Sequence, residues 1–267
     1  MASVLEAALG RYRAVSLAAL IALPLMAWAW LLAGANMGMD PLVSLSPIPA
    51  RDPHMPGMIM EGAMPWSAER FVLTLSMWWV MMVAMMLPSA APTILLYVRA
   101  AVLRQAEVRP SPDSFLAGYL VVWGSFSLFA TILHLLLDRV GLLVPNLMAS
   151  QSRWLSVTIL FAVGLYQLSP FKNVCLRQCR NPAQFLSRHY RSGRLGALRM
   201  GLLHGAFCVG CCWLLMALLF VGGVMNLLWI ALLTMIVAAE KLLPSGRFIS
   251  LATGLACIAW GTAMLLS

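Results

Sequence analysis

The stretch GLLHGAFCVGCCWLLMALLFVGGVMNLLWIALLTMIVAAEKLLP, residues 201–244, decides the fold class. From Gly201 to Ala239 it carries no Asp, Glu, Lys or Arg, and it is broken only by the glycines and Asn226 near its middle. An apolar helix of about 20 residues crosses a hydrocarbon core of about 30 Å. The stretch therefore predicts two spans, about 201–221 and 224–243, joined as a tight helical hairpin. Barrel strands would alternate over about 10 residues, and nothing here alternates over such a length.

Working outward, the same pattern recurs at about 14–34, 71–97, 114–137, 154–171 and 248–266. The prediction is an all-α polytopic membrane protein of about seven transmembrane helices, forming a single integral membrane domain over 1–267. The whole composition agrees: 62% of residues are hydrophobic and 10% charged. Soluble domains lie near 45–50% and about 25%, so a soluble globular fold is excluded, and so is disorder. The first apolar run is too long for the core of a signal peptide and reads as an uncleaved anchor.

The net charge of +9 has a topological cause. With the N-terminus inside, only Arg51, Arg70, Arg139 and Arg153 of the 18 Lys and Arg fall on the outer side. The positive-inside bias thus predicts the N-terminus inside and the C-terminus outside. Nucleic acid is not needed to explain the charge; membrane lipid is the expected surrounding. Two loops are long. The outer one, 35–68, contains Pro41, Pro47, Pro49, Pro53, Pro56 and Pro65. The inner one, 172–200, is basic and is expected to hold a short surface helix.

The chemistry lies in sulfur and imidazole. His204, Cys208, Cys211 and Cys212 stand at i, i+4, i+7 and i+8, which is one stripe of a helix. Thiolate and imidazole are donors suited to soft ions such as Cu(I). Gly205 and Gly210 beside them predict close approach by a neighbouring helix. In SMWWVMMVAMMLPSAAP, residues 76–92, Met77, Met81 and Met85 share a face, with Met82 and Met86 next to it. Thioether is a soft ligand without charge, usable inside a membrane. Pro88 and Pro92 are expected to interrupt that helix and expose carbonyls. The outer loop adds Met37, Met39, His54, Met55, Met58, Met60 and Met64, a pattern suited to capturing Cu(I).

On the inner side Cys175 and Cys179 form a C-x₃-C pair, read as a hand-off site or a thiol switch among Lys172, Arg177 and Arg180. Glu240 is an intramembrane carboxylate and a functional candidate. It is read as orienting His204 from outside the ligand set or carrying a proton, against the plainer alternative of pairing with Lys241. His134 reads as a packing residue or a cap on an outer site. No P-loop, hydrolase or dinucleotide pattern occurs, so an enzyme is not expected. Three functions stay open: handling of Cu(I), membrane thiol–disulfide exchange through Cys208, Cys211 and Cys212, and a scaffold for a membrane complex without metal.

MWWVMMVAMMLPSAAP at 77–92, GAFCVGCCWLLMALLFVGGVMN at 205–226, the EK at 240–241 and YQLSPFKNVCLRQCR at 166–180 resemble the bacterial family of predicted metal-binding integral membrane proteins. The resemblance covers roughly residues 70–245. One member type of that family is the copper chaperone that accompanies a bacterial polyphenol oxidase. It implies a protein of the bacterial inner membrane, copper as cargo, and a cuproenzyme or a small soluble protein as partner. The ligand set, by contrast, is inferred from the residues themselves.

Overall fold

The computed structural model describes residues 2–34, 66–103, 111–144 and 148–266, with side chains from Ala14 onward. The outer-loop candidates His54, Met55, Met58 and Met60, with the other methionines of that loop, lie outside the described residues. The described residues are helical nearly throughout: α1 Ala2–Leu32, α2 Ala68–Leu103, α3 Pro112–Arg139, α4 Arg153–Leu168, α5 Pro170–Arg180, α6 Pro182–His189, α7 Gly193–Ala217, a single turn α8 Leu219–Gly222, α9 Leu227–Leu242 and α10 Gly246–Leu266. Two-residue strands β1 Leu143–Val144 and β2 Ala149–Ser150 form a small antiparallel hairpin between α3 and α4.

Among the described residues, five helical segments are long and apolar enough to cross a membrane: Ala14–Leu32, Ala68–Ala101, Pro112–Arg139, Gly193–Gly222 and Gly246–Leu266. A sixth is formed if α4 and α5 count together, although they bend by 64° at their junction. The remaining expected span, 224–243, is the 16-residue α9, about 24 Å at 1.5 Å per residue and short of a hydrocarbon core of about 30 Å. Exposed apolar residues line the outward faces, with Leu128, Ile132 and Leu136 one above another on α3 and Leu251 and Leu255 on α10.

The α4–α5 bend has a local cause. Pro170 has no N–H and disfavours helical geometry in the residue before it. Ser169 is accordingly extended, with ψ 150°. It ends α4, and its hydroxyl accepts the backbone N–H of Lys172 at 3.3 Å to cap α5. By contrast, Pro88 and Pro92 do not interrupt α2, which runs as one helix of 36 residues. The expected break at the prolines is thus not found.

α2 is the central helix, packed on α1, α3 and α9. Met77, Met81, Met82, Met85 and Met86 are all buried within it. α3 crosses α7 at glycines: a Cβ on Gly201 would run into the backbone of Phe115, and one on Gly118 into that of Leu198. Gly205 lies against Val122 and Tyr119 in the same contact, the close approach that its sequence setting predicts. α4 meets α10 in the same way, through Gly164 against Gly254 and Ile258.

Candidate metal centre

The stripe on α7 is buried as a unit, with His204, Cys208, Cys211 and Cys212 all 2% exposed or less. The thiols of Cys211 and Cys212 turn inward along their own helix and donate to the Cys208 carbonyl at 3.1 and 2.8 Å. Cys208 points across the bundle instead. Its Sγ is 3.1 Å from the Tyr119 hydroxyl of α3 and 3.0 Å from Nζ of Lys241 on α9. Cys212 also reaches Met86 Sδ of α2 at 3.8 Å. The Lys241 ammonium donates to Met86 Sδ at 3.7 Å and to Ser89 Oγ at 3.3 Å.

α5 completes the surroundings. Cys179 is buried and interacts with both Cys208 and Cys211. Cys175 Sγ lies against Gly210, where an added Cβ would be 3.0 Å from it. The Tyr166 hydroxyl donates to the Gly210 carbonyl beside it. Thiols from α5 and α7 and a thioether from α2 thus share one interior region. Among the described residues, no group of three or more His, Cys, Asp and Glu side chains stands ready to hold a metal ion. The donors that do converge include Met86, and the Lys241 ammonium sits between it and Cys208.

His204 is placed differently from the thiols it precedes. Its ring lies among Phe115, Tyr119 and Phe185, with centroids 6.1, 5.9 and 5.2 Å away. Its Nδ1 has no hydrogen-bond partner among the described residues. Glu240 does not orient it. The Glu240 carboxylate is taken by Lys172 Nζ at 2.7 Å and Gln167 Nε2 at 2.9 Å. Lys172 also donates to Gln167 Oε1, and Ser250 Oγ donates to the same oxygen at 3.3 Å. The proposed Glu240–His204 contact and the Glu240–Lys241 pairing are therefore both replaced by a buried Glu240–Lys172 ion pair. Two charges removed from water need this close geometry and satisfied neighbours to persist. Adjacent residues on a helix point about 100° apart. Glu240 and Lys241 accordingly face two different partners, Lys172 and the sulfur cluster.

Of the predicted residues, the structure joins Cys208, Cys211, Cys212 and Cys179, with Cys175 one step away at Gly210. Met77, Met81 and Met85 are core residues, and Met86, beside that stripe, is the methionine whose sulfur meets the cluster. His134 accepts from Trp78 Nε1 at 3.4 Å and packs on Trp66 and Phe220, as a packing residue does. Lys241, Lys172, Tyr119 and Ser89 were not readable as neighbours of the candidate ligands. The available signal was the side-by-side Glu240–Lys241 at the end of an uncharged run, which demands two separate buried partners.

The fold and site define a helical protein of membrane-crossing character with a buried thiol–thioether cluster. The chain belongs to the PpoB2 copper chaperone family, whose model matches residues 75–264. No curated protein and no solved structure matches it. The matched region contains α2 almost entire and every residue of the sulfur cluster. A family of copper chaperones binds and hands over an ion, and the soft donors gathered here suit that cargo.

Proposed function

We propose that the protein binds Cu(I) within the membrane at Cys208, Cys212 and Met86, with Cys211 and Cys179 beside them, and delivers it to a cuproenzyme. The observation that carries this reading is the meeting of sulfurs from three helices in a buried interior. Thiolate and thioether are the ligands that select Cu(I) over harder ions. Membership of the copper chaperone family supports the cargo, and a cuproenzyme is the partner such a role calls for. Transfer without catalysis is the expected activity.

In this reading the protein resides in the bacterial inner membrane with seven crossings, the N-terminus inside and the C-terminus outside. His54, Met55, Met58 and Met60 collect the ion outside. Buried methionines of α2, Met77, Met81 and Met85 ahead of Met86, give it a soft surface on the way in. Cys175 and Cys179 are the inner exit. His204, unpartnered at Nδ1 among the described residues, is an additional donor available if its ring turns from the aromatic cage.

The test is anaerobic purification, Cu(I) loading and measurement of copper bound per chain. The Cys208→Ser/Cys211→Ser/Cys212→Ser variant is expected to lose the intramembrane copper and its sulfur-to-copper charge-transfer absorption. Copper binding equal to the parent protein would remove the reading.

A further inference from the structure

Lys241 is 5% exposed, and its ammonium lies among the atoms that would bind the cargo. It is 3.0 Å from Cys208 Sγ, 3.7 Å from Met86 Sδ and 3.3 Å from Ser89 Oγ. A carboxylate would be the usual partner for a buried ammonium. The ion pairs among the described residues are Arg70–Asp138, Lys172–Glu240 and Arg194–Asp113, and none involves Lys241. The adjacent carboxylate, Glu240, is committed to Lys172 and Gln167. The positive charge is therefore held by two soft donors and a hydroxyl.

We propose that Lys241 is a resident cation, which Cu(I) must displace from Cys208 and Met86 and which returns when the ion leaves. The proposal rests on the copper reading of the same sulfurs and specifies how that site is regulated. Two positive charges a few ångströms apart repel strongly in a weakly polar interior. Metal entry and retention of the ammonium at Cys208 thus exclude each other. The exchange moves no electrons: Cys208 takes part as the thiolate that accepts from the ammonium, copper stays Cu(I), bonds form from copper to Cys208 Sγ and Met86 Sδ, and the N–H···S hydrogen bonds to those two atoms break. The ammonium leaves with its protons.

This device suits a chaperone. Hard cations bind sulfur poorly and do not dislodge an ammonium that also has Ser89, so only a soft ion gains enough from the sulfurs to enter. The same competition weakens the hold on Cu(I) and eases its transfer, because the vacated sulfurs have a cation ready to take them back.

The experiment measures Cu(I) affinity of the full chain in detergent, anaerobically, by competition with a chromophoric Cu(I) chelator. Lys241→Gln, neutral and of similar length, is expected to bind Cu(I) about tenfold or more tighter, on the scale seen for groups just outside a metal's ligands, and to release it more slowly. Lys241→Arg, which keeps the cation, is expected to stay near the parent. Ser89→Ala removes one ammonium contact and no sulfur, and is expected to tighten binding to a smaller degree. A lysine that only supports the fold, or that serves as a permanent counter-ion to the copper–thiolate complex, gives weaker binding in Lys241→Gln. That result overturns the proposal, as does unchanged affinity in both Lys241→Gln and Ser89→Ala. Cu(I) uptake that depends on Cys208 without any tightening overturns the displacement alone. Absence of Cys208-dependent uptake in the parent overturns the copper reading and the displacement with it.

Discussion

Lys172 has no contact with solvent and Glu240 almost none, and their 2.7 Å ion pair is closed by Gln167 and Ser250. Removing one partner of such a pair strands the other charge. Lys172→Ala is expected to destabilise the protein by about 3–5 kcal/mol, seen as a lowered thermal midpoint in detergent. The double replacement Lys172→Met with Glu240→Gln removes both charges and is expected to recover most of that loss. If the single and double variants melt alike, the pair is not what holds α5 to α9. At the cluster, Met86→Leu keeps volume and removes one soft donor. Roughly tenfold weaker Cu(I) binding with an unchanged melting temperature is expected; equal binding would take Met86 out of the site. The thiol stripe itself was legible from spacing, because a helix fixes which residues share a face. Met86 was not, because which sulfur of a methionine-rich helix meets that stripe depends on how α2 is rotated against α7.

Elements are brought together here by glycine. Without a hydrophobic drive between helices in lipid, close packing of small residues supplies much of their association. Gly118 and Gly201 place α3 and α7 in backbone contact, which is what brings Tyr119 within 3.1 Å of Cys208. Gly201→Val is expected to separate the two helices, costing about 1–3 kcal/mol as overpacking does, and to weaken Cu(I) binding without touching any donor. Full retention of both stability and copper binding would show that the crossing is not needed to position the site. The α4–α5 bend acts in the opposite sense. By turning 64° at Ser169–Pro170, the chain carries Lys172, Cys175 and Cys179 back against α7 and α9 instead of away from the bundle. The basic inner segment 172–200, read as a loop with a surface helix, is thereby two helices, α5 and α6, followed by the start of α7, and α5 presents a buried face.

For the whole molecule, the contacts that join distant segments sort the helix ends into two groups. Arg70 pairs with Asp138 at 3.3 Å, and Arg153 donates to the Leu265 carbonyl at 2.5 Å, joining segments assigned outside. Arg194 meets Asp113 at 3.4 Å, and Arg180 donates to the carbonyls of Leu243 and Pro244 at 3.0 and 2.7 Å, joining segments assigned inside. None of these links an assigned inner end to an outer one. Single cysteines placed at Arg139 and at Arg188 in a chain freed of its own thiols are expected to react with an impermeant reagent from opposite faces of the membrane. Labelling of both from one face would refute α4 as a crossing and with it the seven-crossing arrangement.

The sequence alone determined that this is a helical protein of membrane character, that its thiols share one helix face, and which family it resembles. Those properties rest on composition, local periodicity and motif, and each is carried by a continuous run of residues. The tertiary structure decided which charges neutralise one another and what stands between the sulfurs. Glu240 took Lys172 rather than His204 or Lys241, and Lys241 turned to Cys208 and Met86. In a poorly polar interior each buried charge must find a partner at contact distance. That partner is set by helix rotation, crossing and the bend at Ser169, and linear spacing records none of these.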